Sequence, residues 1–320
     1  MKRHLIKPLM IVFLMAAAGF AFAPPVAKAR AVPPLVSTGW LARHLGEPGL
    51  VVIDVRTASN YGFAHIPGAV SLPYFTGCEV VSSVTMCLLM PTPADFGVMM
   101  RALGANQSSY VVIYDHGNTA SDATKGASAT WVMESMGVRK VSYLDGGFTK
   151  WTFEGRKVTK AVPTPQPGNF RAIPDKSRVA TLADVIANLK TRRAIFVDDR
   201  PAEQHFGVSK ESSVPRYGHI PGSLSFPATY MTNAGADRAP ATIKSRRELE
   251  AMARGTGLTE DKSRPIIVYC NSGQFAGMGY FVLHELLGYR DVKVYDGSML
   301  DYARNKKLPM VRFAWGFVTR

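Results

Sequence analysis

The stretch PIIVYCNSGQFAGMGYFVLHELLGY, residues 265–289, is where the chain sets up chemistry. An apolar run stops at Cys270, the small-residue loop Asn271, Ser272, Gly273, Gln274 and Phe275 follows, and an amphipathic segment continues to Gly288. The pattern predicts a buried strand, a tight turn and a helix. In α/β sheets, ligand sites gather where strands end and helices begin. The N–H groups of 271–275 have no acceptor inside such a helix and point into the turn, with the helix dipole behind them. A cradle of this kind binds an anion and lowers the pKa of a neighbouring thiol. Gly273 permits the tight backbone path. The chemistry this implies is a thiolate nucleophile that takes up and holds a charged group. A buried structural thiol is the commoner fate of a free cysteine, but Cys270 opens a loop instead of lying within a strand or helix.

The elements that would position Cys270 are written twice. VVIDVRTASNYGFAHIPGAVSLP, from Val51, matches AIFVDDRPAEQHF from Ala194 followed by RYGHIPGSLSFP from Arg216. VVIYD, ending at Asp115, matches IIVYC, ending at Cys270, and MESMGVRKVSYLDGG from Met133 matches HELLGYRDVKVYDGS from His284. A repeat of about half the chain points to two duplicated domains and not to a solenoid of short units. At 320 residues the chain is long enough for two full cores.

The runs LVVIDV, YVVIYD, KVSYL, AIFVDD, PIIVYC and VKVYD lack polar alternation, as strands buried on both faces do. Helical patterns ending at Gly137 and Gly288 lie between them. The expected class is α/β, with two domains that are each an open, mainly parallel sheet flanked by helices. The Pro-rich KAVPTPQPGNFRAIP, residues 160–174, is a semi-rigid linker by composition and separates a domain at 32–159 from one at 175–320. Extra residues in the second half fall around GVSKESSVPRY.

Residues 1–31 differ in character: a basic opening MKRHLIK, the apolar core PLMIVFLMAAAGFAFA, and PPVAKARA ending in small residues. This is a signal-peptide layout, with cleavage expected after Ala29 or Ala31, export to the periplasm, and no stable membrane insertion of the mature chain. The formal charge is +14, from scattered Lys and Arg. It implies solvated surface and an anion-attracting field, and excludes nucleic acid as a partner for an exported chain without a binding motif. The three cysteines are Cys78, Cys87 and Cys270. In an oxidising compartment the near neighbours Cys78 and Cys87 are expected to pair, leaving Cys270 as the free thiol.

On these residues the chain resembles a tandem-domain rhodanese of the thiosulfate/3-mercaptopyruvate sulfurtransferase family. DVRTASNYGFAHIPGAV and GHIPGSL resemble the family's first signature, YLDGGFTKW and VYDGSML its terminal one, and CNSGQFA its six-residue catalytic loop. The resemblance implies an inactive first domain, with Asp115 at the nucleophile position, and a catalytic second domain. It also implies a two-step reaction in which Cys270 takes a sulfane sulfur from a small anionic donor as a persulfide and passes it to a thiol, cyanide or protein acceptor. No metal or organic cofactor is implied. Backbone N–H groups of 271–275 would stabilise the persulfide in the manner of an oxyanion hole.

Departures from the family pattern bear on the donor. Asn271 is neutral where many relatives have a basic residue, and EQHF stands where many have an arginine before the aromatic. Arg216, just before YGHIPG, is the candidate replacement, and Arg200 is a second candidate. Arg56 repeats Arg200 in the half that has Asp115 instead of the nucleophilic cysteine, which favours a structural role for both. Ser272 either donates to a substrate carboxylate or caps the helix. Thiosulfate or a related sulfane anion is the expected donor. The alternatives are 3-mercaptopyruvate and a non-turnover persulfide carrier. A phosphatase reading fails because Ala276 stands where an arginine would have to clamp phosphoryl oxygens.

Overall fold

The computed structural model describes residues 32–73, 77–81, 84–233 and 239–315, with the side chains of 77–81 and 84–89 outside that description. The first half runs β1 (Leu35–Val36), α1 (Thr38–His44), β2 (Leu50–Asp54), α2 (Ala58–Phe63), β3 (Val70–Ser71), β4 (Gly77–Val81), β5 (Val84–Leu89), α3 (Pro93–Ala102), β6 (Tyr110–Tyr114), α4 (Ala120–Ser135), β7 (Val141–Leu144) and α5 (Gly147–Phe153). The second runs β8 (Val179–Ala180), α6 (Leu182–Thr191), β9 (Ile195–Asp198), α7 (Ala202–Phe206), β10 (Leu224–Ser225), β11 (Thr232–Asn233), β12 (Thr242–Ile243), α8 (Arg246–Gly255), β13 (Ile266–Tyr269), α9 (Gln274–Tyr280), β14 (Val292–Tyr295) and α10 (Ser298–Tyr302).

Each half folds into a five-stranded parallel sheet, ordered β1-β7-β6-β2-β3 and β8-β14-β13-β9-β10. The two orders are the same topology, so the duplication in the sequence is a duplication of fold. The central strands β6 and β13 are buried almost end to end, as their continuous apolar runs require. Helix starts follow local chemistry: Thr119 with Asp122, Thr181 with Asp184, and Ser245 with Glu248 form reciprocal capping boxes on α4, α6 and α8. Helix α9 widens after Tyr280 into a π-helical turn, Phe281–Leu286, where a continuous α-helix was expected. Such turns concentrate at functional sites.

The linker does more than connect. Gly168, Phe170 and Ile173 donate their N–H groups to the carbonyls of Arg101, Ala105 and Met136, and the Phe170 ring is buried against Phe96. A Cβ on Gly168 would stand 1.9 Å from the Ala105 oxygen, so this close approach needs glycine. The segment is therefore laid along the first domain as part of its surface.

The domains meet through α4 and α9. The contact is close because Gly277 faces Ser128, where a Cβ would come within 2.7 Å of backbone. Arg178 reaches Glu134 at 3.1 Å and also donates to the Tyr280 hydroxyl, which itself donates to Glu134 at 3.1 Å. Two reciprocal clasps complete the interface. Met90, just past the antiparallel hairpin β4–β5, donates its N–H to Asp296, and Ile243 in the hairpin β11–β12 donates to Asp145, each at 2.8 Å. Each domain's DG turn thus holds an arm of the other. The β4–β5 register makes Cys78 and Cys87 partner positions; their side chains, on which the expected disulfide depends, lie outside the described residues, as does the expected signal segment 1–31.

Candidate active site

Parallel pairing of β9 with β13 sets Tyr269 opposite Asp198, so Asp199 and Cys270 leave the sheet side by side at its carboxyl end. Cys270 is buried, and the turn after it folds as the residue types predict. Gly273 adopts φ +95° and donates its N–H to Sγ at 3.1 Å. The N–H groups of Ser272, Phe275 and Ala276 also act on the sulfur. The second DG turn braces the loop from the other side. Ser298 Oγ accepts from the Cys270 N–H at 3.1 Å, and Met299 and Leu300 donate to the Cys270 and Asn271 carbonyls. Ser298 holds φ +48°, an uncommon conformation for a non-glycine residue, at this brace.

The electrostatics correct one expectation. Burial pushes the Cys270 thiol up, and the four amides only offset part of that rise. The cradle works in the expected direction, but the thiol is enclosed, and desolvation outweighs the dipoles that were expected to lower its pKa. Four N–H groups trained on one sulfur nonetheless favour the thiolate and the terminal anion of a persulfide over any neutral occupant.

The loop side chains divide. Asn271 Nδ2 donates to Gln204 Oε1 at 2.8 Å, so the glutamine of EQHF stands in the site, and Gln204 in turn donates to Glu211. Gln274 Nε2 donates across the domain interface to Thr124 Oγ1 at 2.8 Å. Phe275 packs against the core. Ser272 contributes its backbone N–H, and the capping alternative does not hold, because α9 is capped by Gly273 with no side-chain hydrogen bond.

Neither candidate arginine is free for a donor. Arg216 commits its guanidinium to four carbonyls, those of Tyr302, Ala303, Asn305 and Leu308, at 2.7–3.3 Å. It fastens the segment after α10, and the expectation that it replaces the missing substrate arginine is corrected accordingly. Arg200 is buried on Asp198, with Nε at 2.9 Å and Nη2 at 2.7 Å, and also donates to the Gly218 carbonyl. Burial opposes charge on Asp198, but Arg200 and His205 overcome it and hold the carboxylate well below its usual range. Arg56 makes the same bonds to Asp54 in the first domain. His205 and His219, stacked at 3.8 Å, are fully buried, and His205 Nδ1 bonds to Asp198 at 3.0 Å. Asp199 and Ser298 are site residues that the motif reading passed over; the asymmetry VDDR against IDVR was the available signal for the first.

In the first domain Asp115 takes the nucleophile position but not its geometry. Its carboxyl is fully buried, with Oδ2 accepting from the Gly126 N–H at 3.0 Å inside α4. Burial pushes it up to about 8, which the Tyr143 hydroxyl and the Gly126 N–H offset only in part. The folded protein therefore keeps a proton that the unfolded chain loses near pH 4, and stability falls as pH rises from about 4 to about 8. Asp115→Asn is expected to remove that slope. Unfolding by denaturant across this range should find the variant more stable than the parent by a few kcal/mol, to order of magnitude, near pH 8, with no gain near pH 4. A constant difference across the range would contradict the assignment.

The model of the rhodanese-like domain matches the chain twice, over residues 37–154 and 181–305. The chain belongs to the rhodanese family. The 3-mercaptopyruvate sulfurtransferase of Escherichia coli K12 is 34% identical over 289 residues, covering 86% of this chain and 96% of that protein. The thiosulfate sulfurtransferase of Cricetulus griseus is 31% identical over 283 residues, covering 84% and 91%. The crystal structure of SseA from Escherichia coli, described as a 3-mercaptopyruvate sulfotransferase with the rhodanese fold, superposes with a TM-score of 0.71 at 31% identity over 83% of this chain and 98% of its own. The relatives share both domains of this rhodanese, so the match extends to the tandem architecture.

Proposed function

We propose that this rhodanese carries sulfane sulfur on Cys270: the thiolate attacks a donor sulfur, holds it as a persulfide, and yields it to a thiol, cyanide or protein acceptor. The observation that carries the reading is the focus of four backbone N–H groups on Sγ at the carboxyl end of β13. The first domain, with a buried Asp115 in that place, contributes the α4 face and the Met90 clasp.

The donor follows from charge. Thiosulfate is a dianion and calls for a free cation, yet Arg216 is committed to carbonyls and Arg200 to Asp198, while the neutral pair Gln204–Asn271 stands at the loop. That set suits 3-mercaptopyruvate, a single carboxylate, at least as well as thiosulfate. The test is kcat/KM for both donors in the parent and in Arg216→Ala. The expected result is a ratio that favours 3-mercaptopyruvate and does not change with the substitution, accompanied by a lower melting temperature as the 302–308 segment loosens. A ratio favouring thiosulfate that collapses in Arg216→Ala would return this arginine to the donor site.

Export to the periplasm completes the reading, on the layout of 1–31. Terminal sequencing of the protein recovered from that compartment checks the cleavage, and mass spectrometry of its non-reduced peptides checks the Cys78–Cys87 bond.

A further inference from the structure

One acidic group beside Cys270 is left over by everything described above. Asp199 is fully buried, and neither carboxyl oxygen has a hydrogen-bond partner among the described residues. Alternation along β9 and β13 sorts the side chains. Phe196 and Tyr269 pack on one face of the sheet, while Val197, Val268 and Cys270 pack on the α9 face, so Asp199 shares the face of the thiol. Its carboxyl lies directly under α9, where a Cβ on Gly279 would stand 2.1 Å from Oδ2. The helix thus spends an interior glycine to make room for the carboxyl. The first domain, which has Asp115 instead of a cysteine at the nucleophile position, has Val55 at this position. An unpartnered buried carboxyl placed only where the cysteine is, with space cleared for it, marks a functional group.

We propose that Asp199 is the proton store of the sulfur-transfer step, holding a proton while Cys270 is a thiolate and lending it to the group that leaves the donor sulfur. The inference rests on the Cys270 persulfide reading and adds to it the route of the proton. The four amides stabilise an anion on the sulfur, while no donor stabilises one on Asp199, so of the two groups the carboxyl keeps the proton. Burial first, then the negative charge of Cys270 and of Asp198, drive its pKa well above the carboxylate range. The other charged groups nearby are already bound. Asp198 and Arg200 pair with one another, and Tyr280 of α9 is tied to Glu134 and Arg178. Ala228, in the segment after β10, meets Asp199 only through the backbone.

With 3-mercaptopyruvate the step balances within the site. Cys270 sulfur forms the S–S bond, the S–CH2 bond breaks, and its electron pair goes to carbon as an enolate. Asp199 gives its proton to that carbon, producing the methyl ketone pyruvate, and recovers a proton from the transferred SH as the persulfide ionises. The sulfur is oxidised to the sulfane state and the carbon reduced, with no outside oxidant. Thiosulfate releases sulfite, a weak base that departs without help, so its transfer depends little on the store.

The experiment compares the parent with Asp199→Asn and with Asp199→Val, the latter copying the first domain. In single-turnover persulfide formation, the variants should lose roughly 10²- to 10⁴-fold with 3-mercaptopyruvate and less than about tenfold with thiosulfate. The midpoint of Cys270 alkylation by iodoacetamide against pH should move by less than about half a unit in Asp199→Asn, because the amide replaces a neutral acid. Equal losses with the two donors would reduce Asp199 to a packing residue and overturn the proposal. So would an alkylation midpoint that drops by more than about one unit, since it would mean that an ionised carboxylate had stood beside the thiol. Thiosulfate-driven persulfide on Cys270 in the parent reports separately on the underlying sulfur-transfer reading.

Discussion

Cys270→Ser is expected to lower sulfurtransferase turnover by roughly 10⁴-fold or more, to background, and to remove the gain of one sulfur atom that the intact protein shows after exposure to donor. The serine would still lie under the amides of 272, 273, 275 and 276, but a hydroxyl stays protonated there and cannot accept a sulfane sulfur. The first domain provides the contrast. Asp115 is enclosed by Gly126 and Gly147, its carboxyl filling the space where a loop cradle would open, so Asp115→Asn should leave turnover within a few-fold of the parent while changing the pH dependence of stability. Turnover that survived in Cys270→Ser would shift the nucleophile to Cys78 or Cys87 and remove the basis for assigning the second domain as catalytic.

What was legible in the sequence followed from physics that acts locally. Strands buried on both faces must be continuously apolar, so β2, β6, β7, β9, β13 and β14 announced themselves, and their repetition announced the duplicated sheets. Two-residue strands such as β1 and β3 carry too little pattern to be seen. The cysteine turn was legible because a glycine and a helix start leave amides pointing at one spot. Whether those amides or desolvation govern the thiol depends on what packs around the turn, and part of that packing, α4 with Thr124 against Gln274, comes from the other half of the chain.

The arginine was misplaced for a similar reason. Arg216 precedes a motif that borders the site, but its direction is decided by carbonyls some ninety residues later, which no local pattern encodes. The clasps Met90–Asp296 and Ile243–Asp145 are equally invisible in either half alone. Asp199 was legible by comparison of the halves, since VDDR matches IDVR except for a conservative Val/Ile exchange and the charged Asp199 in place of Val55. In a duplicated chain with one working site, such a break is the place to look. Positions that both copies keep are bound to the fold they share, and a position that differs beside the nucleophile is free to serve it.

Arg200→Ala tests that principle from the other side and is expected to cost about 3–5 kcal/mol of stability. The guanidinium is buried, donates twice to Asp198 and once to the Gly218 carbonyl, and lies over the Tyr269 ring. Removing it strands a fully buried carboxylate whose remaining side-chain partner is His205, and frees the turn that carries His219. Arg56→Ala should cost a similar amount, because Arg56 makes the equivalent bonds to Asp54 and to the Ala64 carbonyl in a domain with no cysteine at the nucleophile position. Lysine at either position should recover little, since one ammonium cannot make the paired contacts of the guanidinium fork. Denaturant unfolding of the two alanine variants measures both costs. At a temperature where Arg200→Ala remains folded, KM for either donor should stay within a few-fold of the parent, while kcat falls because a positive charge that favours the Cys270 thiolate is gone. A variant as stable as the parent with a selectively raised KM would make Arg200 a donor ligand and leave the buried pair in the first domain without an explanation.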